Sequence, residues 1–222
     1  DNDSPLPYGF IDDRDILWSK STWEIIDLDE RVNFPLYYPI DTNNIGLERR
    51  SLYDVLIKNI KNQTIENLYA DSYFTEKRTL NDIEASLVYS DTTDLGISQF
   101  NAGEAIDPQY IRKFTLDAAD IEEWRIRGTW YLDKRSGDIK YRLLGLAPVA
   151  NEARSKAFPD AASDTKVELF WIWFPSAREV LHKAKAFNRK NTSRPISYDH
   201  LLNSRRFNAV IYKEDNDLGD RQ

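Results

Sequence analysis

Residues 124–145, WRIRGTWYLDKRSGDIKYRLLG, carry the most regular pattern in the chain. Trp124, Ile126, Gly128, Trp130 and Leu132 alternate with Arg125, Arg127, Thr129 and Tyr131, a period of two that describes a strand with one apolar face. The run KRSGD at 134–138 supplies turn residues, with Gly137 free to take a positive φ. Ile139, Tyr141, Leu143 and Gly145 then resume the alternation, which makes the pair an antiparallel hairpin.

Working outward toward the C-terminus, KVELFWIWF (166–174) is apolar on both faces, as expected of a central strand covered on both sides. Pro175 ends it, and Ser176 with Glu179 opens a helix along Ala177, Val180, Leu181, Ala184 and Phe187. A short helix near 197–204 and a last strand, FNAVIY (207–212), follow.

Toward the N-terminus the spacing predicts helices. Ser51 and Asp54 fit a capping box ahead of Leu52, Val55, Leu56 and Ile60, with Asp54, Lys58 and Lys61 on the other side. A shorter helix follows Thr79, with Leu80, Ile83 and Leu87 on one face. Residues 90–110 are turn-rich and without period, and read as a long loop. Asp12 to Leu28, DDRDILWSKSTWEIIDL, reads as a helix with an acidic first turn. Its apolar residues make no single stripe: Trp18 and Trp23 point to opposite sides, so such a helix needs cover on most sides. Pro35 and Pro39 in NFPLYYPI then impose an extended segment.

The predicted fold class is α+β, a helical N-terminal half packed on an antiparallel β-sheet formed mainly by the C-terminal half. It comprises one domain over 12–213, helical over about 12–120 and sheet-rich over about 121–213, between a flexible lead-in (1–11) and a disordered tail (214–222).

Composition bounds the function. With 222 residues the chain is long enough for a core without staples. Zero cysteines exclude disulfides, thiol catalysis and cysteine-bound zinc. No apolar run reaches the roughly 18 residues of a membrane-spanning helix. Residues 1–120 hold 11 Lys/Arg against 23 Asp/Glu, and residues 121–222 hold 19 against 14. Such segregation marks either a surface for a charged partner or two halves that neutralise each other within one fold.

No nucleophile–base constellation, phosphate-binding glycine run or metal-ligand spacing occurs, so no cofactor is expected. Of the two histidines, His182 sits on the flank of an amphipathic helix and His200 in a short polar one. Two other functions stay open from the residues alone. An oligonucleotide module would use Arg125, Arg127, Lys140 and Arg142 beside Trp130 and Tyr131. A carbohydrate-active enzyme would use a pair among the many carboxylates. The candidate partner-binding residues are Trp18, Trp23, Phe34, Tyr37 and Tyr38, large aromatics of the kind that anchor interfaces. Core packing is the competing use of the same residues.

DDRDILWSKSTWEIIDLDERVNFPLYYP (12–39) resembles the opening of the GldN/PorN family of gliding-motility and type IX secretion proteins of Bacteroidota. The likeness continues in order through RRSLYDVLIKNIKN (49–62), IRGTWYLDKRSGDIKYRLLGLAPVA (126–150), ELFWIWFP (168–175) and LLNSRRFNAVIYKEDN (201–216). The resemblance implies a non-enzymatic periplasmic protein. It would assemble into a ring with the outer-membrane lipoprotein GldK/PorK and contact the periplasmic part of GldM/PorM, with no nucleic-acid partner. The absence of an initiator methionine is read as the mark of an export signal already removed. Members of the family continue with a charged C-terminal segment, so a chain ending at DLGDRQ reads as trimmed.

Overall fold

The stretch read as the first helix is a strand. In the computed structural model, which describes residues 4–9, 12–41, 50–161, 165–186 and 195–215, Ile16–Asp27 form β1, twelve residues long. After it come a four-residue helix α1 (Phe34–Tyr37), α2 (Leu52–Lys61), β2 (Leu68–Tyr69), α3 (Leu80–Leu87) and β3 (Val88–Thr92). Next are α4 (Asp94–Asn101), β4 (Ile111–Thr115), the long pair β5 (Ile121–Asp133) and β6 (Ile139–Asn151), and α5 (Ala153–Ala157). The chain continues through β7 (Lys166–Glu168), β8 (Trp171–Trp173), α6 (Phe174–Lys183), α7 (Tyr198–Asn203) and β9 (Val210–Glu214).

The main sheet has the order β2-β8-β6-β5-β1-β9, with β7 also paired to β6. Every described pairing is antiparallel, so that part of the expectation matches. The helical N-terminal half does not: β1 lies inside the sheet between β5 and β9, and the helices are scattered along the chain. The physical reason lies in the missing stripe. Ile16, Thr22, Ile25 and Ile26 are β-branched, and side chains that alternate give Ile26 to one face and Trp23 to the other. Residues that leave a helix apolar all round suit an interior strand with a layer on each face. The acidic start is a separate turn, Asp13–Asp15, capped by the Asp12 side chain.

The hairpin forms, with Trp124 opposite Pro148, Ile126 opposite Leu146 and Trp130 opposite Tyr141, but a register shift at Arg127/Gly128 places Gly145 opposite Arg127, on the other face from Leu143. Gly137 takes φ +70° in the turn. Gly128 lies beneath Tyr141, where a Cβ would overlap the ring and come within 2.7 Å of the Arg142 carbonyl oxygen.

Helices α2 and α3 match their predicted caps: Ser51 accepts from the Asp54 amide, and Thr79 and Asp82 form a complete capping box. Four other readings need correction. KVELFWIWF is broken at Leu169–Phe170 into β7 and β8, both pairing with β6. Helix α6 starts at Phe174 with Pro175 in its first turn, where the missing N–H costs nothing. Ser176 donates to the Trp173 carbonyl instead of capping a helix. Likewise Pro35 starts α1 rather than holding 34–37 extended. Residues 90–110 hold the end of β3 and α4 rather than a bare loop. Phe187 and residues 216–222 of the tail fall outside the described residues.

One sheet face meets α2, α3, α6 and α7 in the main core, where Ile26, Trp124, Ile126, Leu146, Leu56, Phe174, Leu181 and Tyr198 are buried. The other carries a small second core of Trp23, Ala147 and Trp171 under Tyr69, Phe74 and Tyr212. Several acids of the first 123 residues pair with bases beyond 150: Lys156 with Asp117 (3.2 Å) and Asp120 (2.7 Å), Lys166 with Glu122 (3.2 Å), and Arg205 with Glu24 (2.6 Å). These pairs draw the two halves of the charge distribution together.

Candidate interaction surface

The five aromatic candidates fall in three places. Trp18 is near the start of β1 on the helix-bearing face, opposite Leu132, which is itself opposite Ile139. Directly opposed residues share a face, so the three make an apolar row across β1, β5 and β6. The row lies beyond the helices: Trp18 is 48% and Ile139 64% exposed. Its local frame is firm. Asp133, next to Leu132, accepts from the Arg135 amide (2.9 Å) and from Lys140 Nζ (2.8 Å), closing the turn. The Lys140 ammonium, then the Arg135 amide, hold the Asp133 carboxyl down to a pKa of about 2.

Trp23 has the opposite setting. Odd and even positions of a strand face apart, and Trp23 is buried in the second core. Its ring lies between Lys213 (4.4 Å) and Arg127 (4.9 Å), and its indole N–H donates to Ser72 Oγ at 2.9 Å. Arg127 also donates to the Ser72 carbonyl at 2.7 Å. The ring and the two cations thus clamp the turn after β2 against the sheet.

Phe34, Tyr37 and Tyr38 form a third group around α1. Tyr38 meets Phe34 edge-on at 5.3 Å and Tyr37 at 4.8 Å, and Tyr38–Pro39 is a cis peptide. All three rings are half-buried, and partial burial raises the Tyr37 pKa above its ordinary value. Between Trp18 and the end of β1 at Asp27 the strand rises about 30 Å. Trp18 and this cluster therefore mark opposite ends of β1, not one site.

The basic and aromatic residues of the hairpin are engaged within the chain. Arg125 bonds Glu168 (2.7 Å), Lys140 bonds Asp133, Arg142 covers the Tyr8 ring (4.7 Å), and Tyr131 is buried. Trp130 lies on the face opposite these cations, packed on Tyr141 at 4.9 Å. Tyr8 belongs to residues 4–9, read as lead-in. Its hydroxyl donates to the Leu143 carbonyl, and its ring stands 6.0 Å from Phe174. The buried carboxylates are paired: Glu24 with Arg205, Glu123 with Arg125, and Asp199 with Arg178.

Sequence reasoning placed Leu132 and Ile139 on the same strand face but missed that Trp18 extends their row. The signal was the alternation within 16–27, hidden by reading a helix. The exposed Leu95, Ile97 and Phe100 of α4 were missed as well, because eight helical residues around a glycine show little period.

An antiparallel sheet with helices on one face defines a mixed α/β protein, with Trp18 and Ile139 exposed at one end of the sheet. The family model for the gliding motility associated protein GldN matches residues 11–222, nearly the whole chain, and the chain belongs to that family. It is accordingly a component of the gliding-motility and type IX secretion apparatus, in a family that is not a known enzyme family. No curated protein matches the chain. Among the described residues, no helix is long and apolar enough to cross a membrane.

Proposed function

We propose that this chain is a non-enzymatic structural subunit of the periplasmic secretion and gliding machinery. In this reading it assembles with a GldK/PorK-like outer-membrane lipoprotein into a ring and touches the periplasmic part of a GldM/PorM-like protein. The observation that carries the reading is the Trp18–Leu132–Ile139 row. Trp18 and Ile139 stand in water on either side of half-buried Leu132, on a three-stranded platform that favours the binding of a preformed protein surface. The half-buried Phe34, Tyr37 and Tyr38 offer a second contact at the other end of β1, and buried Trp23 supports the sheet between them.

Co-purification with the lipoprotein, followed by sizing of the complex, tests the assembly. Trp18→Ala is expected to weaken that binding by about 2 kcal/mol or more, the scale of an aromatic anchor, which is roughly thirtyfold. Its melting temperature should stay close to that of the parent chain, since Trp18 supports little of the core. A complex that forms equally well with Trp18→Ala removes the row from the interface. A chain that stays apart from the lipoprotein removes the reading itself.

A further inference from the structure

Three half-buried arginines of this chain face an acid: Arg125 pairs with Glu168 (2.7 Å), Arg178 with Asp199 (2.7 Å) and Arg205 with Glu24 (2.6 Å). Arg142 on β6 is half-buried too, yet among the described residues it forms no ion pair. Its guanidinium covers the Tyr8 ring at 4.7 Å and neighbours the Tyr8 hydroxyl. Burial raises the Tyr8 pKa, so that hydroxyl is neutral and supplies no counter-charge. A cation drawn out of water without an opposing charge is unfavourable, and an anion beside it relieves the cost.

Arg142 borders a cavity of about 330 Å³, open to solvent, between residues 6–9, the β5–β6 hairpin and the end of α7. Leu6, Pro7 and the rings of Tyr8, Tyr131 and Tyr141 give it an apolar lining. Its wall is fixed in advance: Arg178 donates to the Leu6 carbonyl, and the Tyr8 hydroxyl donates to the Leu143 carbonyl. On two lining residues, the Tyr141 hydroxyl and Arg142 Nε are buried with no hydrogen-bond partner among the described residues. Unmet buried donors of this kind call for a ligand, an ion or water. Asp199 cannot serve Arg142 as well, since it already receives two bonds from Arg178 (2.7 and 2.9 Å) and one from Asn203 (3.1 Å).

We infer that this cavity binds a monoanionic carboxylate on a small apolar body, the carboxylate on Arg142 and the body against Leu6, Pro7 and the tyrosine rings. A guanidinium fork matches a carboxylate in shape and hydrogen bonding. One uncompensated cation also matches one negative charge, whereas a phosphate dianion would bring a second charge while Arg178 is already paired. The volume lies at the small end of ligand sites and suits a free organic acid or the C-terminal residue of a peptide. Such binding is independent of the partners proposed above.

Isothermal titration of the 222-residue chain with 3-phenylpropionate tests it, with 3-phenylpropionamide as the neutral counterpart. The acid should saturate with a Kd of about a millimolar, and the amide should bind about tenfold more weakly or worse, as loss of a charge-assisted pair requires. Arg142→Gln should abolish that difference. If this variant does not fold, the acid–amide ratio in the parent chain still decides. N-acetyl-alanyl-phenylalanine with a free or an amidated C-terminus repeats the comparison for a peptide end. Binding of the peptide acid without that of 3-phenylpropionate makes a chain terminus the source, and the reverse makes it a free acid. Acids and amides that bind alike, acids that bind the Arg142→Gln chain as they bind the parent, or no binding of either acid overturns the inference. Inorganic phosphate that binds more tightly than both acids overturns it as well.

Discussion

Arg205→Met removes the cation that pairs with Glu24, the buried carboxylate of β1. Glu24 is 1% exposed and receives two hydrogen bonds from Arg205, at 2.6 and 3.3 Å, with a third from Thr22 Oγ1 at 3.2 Å. The guanidinium lies over Tyr141 at 4.2 Å and Trp130 at 5.0 Å, so methionine keeps much of the packing and loses the charge. Breaking a buried pair by removing one partner costs about 3–5 kcal/mol, because the remaining charge stays buried. The Arg205 side chain is 24% exposed, so water can reach part of the site and the lower figure applies. A loss of about 3 kcal/mol lowers the melting temperature by about 6–12 °C for a chain of this size. Adding Glu24→Gln to Arg205→Met should recover more than half of that loss, since a neutral amide is far cheaper to bury. Calorimetry or thermal circular dichroism on the four members of the cycle reads all of this directly. A single variant melting within about 2 °C of the parent, or a double variant no better than the single, refutes the claim that this pair secures β1.

Two further outcomes follow from the hairpin. The Asp133 pKa is depressed to about 2, chiefly by Lys140. Its contribution to stability is therefore complete above the ordinary carboxylate value of about 4 and is lost as pH falls toward 2. Carboxyl-resolved NMR should show this low midpoint, and Lys140→Ala should raise it; a midpoint near 4 in the parent chain breaks the assignment of Lys140 as the cause. Gly128→Ala forces a Cβ into the Tyr141 ring and should cost about 1–3 kcal/mol by overpacking, read as a lower midpoint in urea unfolding. No loss there means that Tyr141 moves aside freely, contrary to the packing described.

The legible parts of the fold are those whose signals are local. Caps and stripes place α2 and α3 because each needs only residues three or four apart, as with Thr79 and Asp82. The hairpin is legible for the same reason, through alternation on both sides of one turn. Helix α4 escaped because its packing depends on an absent side chain: Gly96 fits against Thr92 by lacking a Cβ. Of the candidate site, Trp18 stood out as a large aromatic, but its row with Leu132 and Ile139 required strand register, which no local pattern encodes.

By itself the sequence determined the hairpin, the capped helices and, through long collinear strings, the family. Tertiary structure decided the rest, above all whether 16–27 is helix or strand. An apolar residue on each side of a segment suits either form, and the choice falls to what covers those sides. Here β5 and β9 supply the hydrogen bonds, two cores cover the faces, and Arg205, 181 residues away, neutralises Glu24, the buried acid of β1. Such distant groups enter the energy of β1 only when the chain has folded.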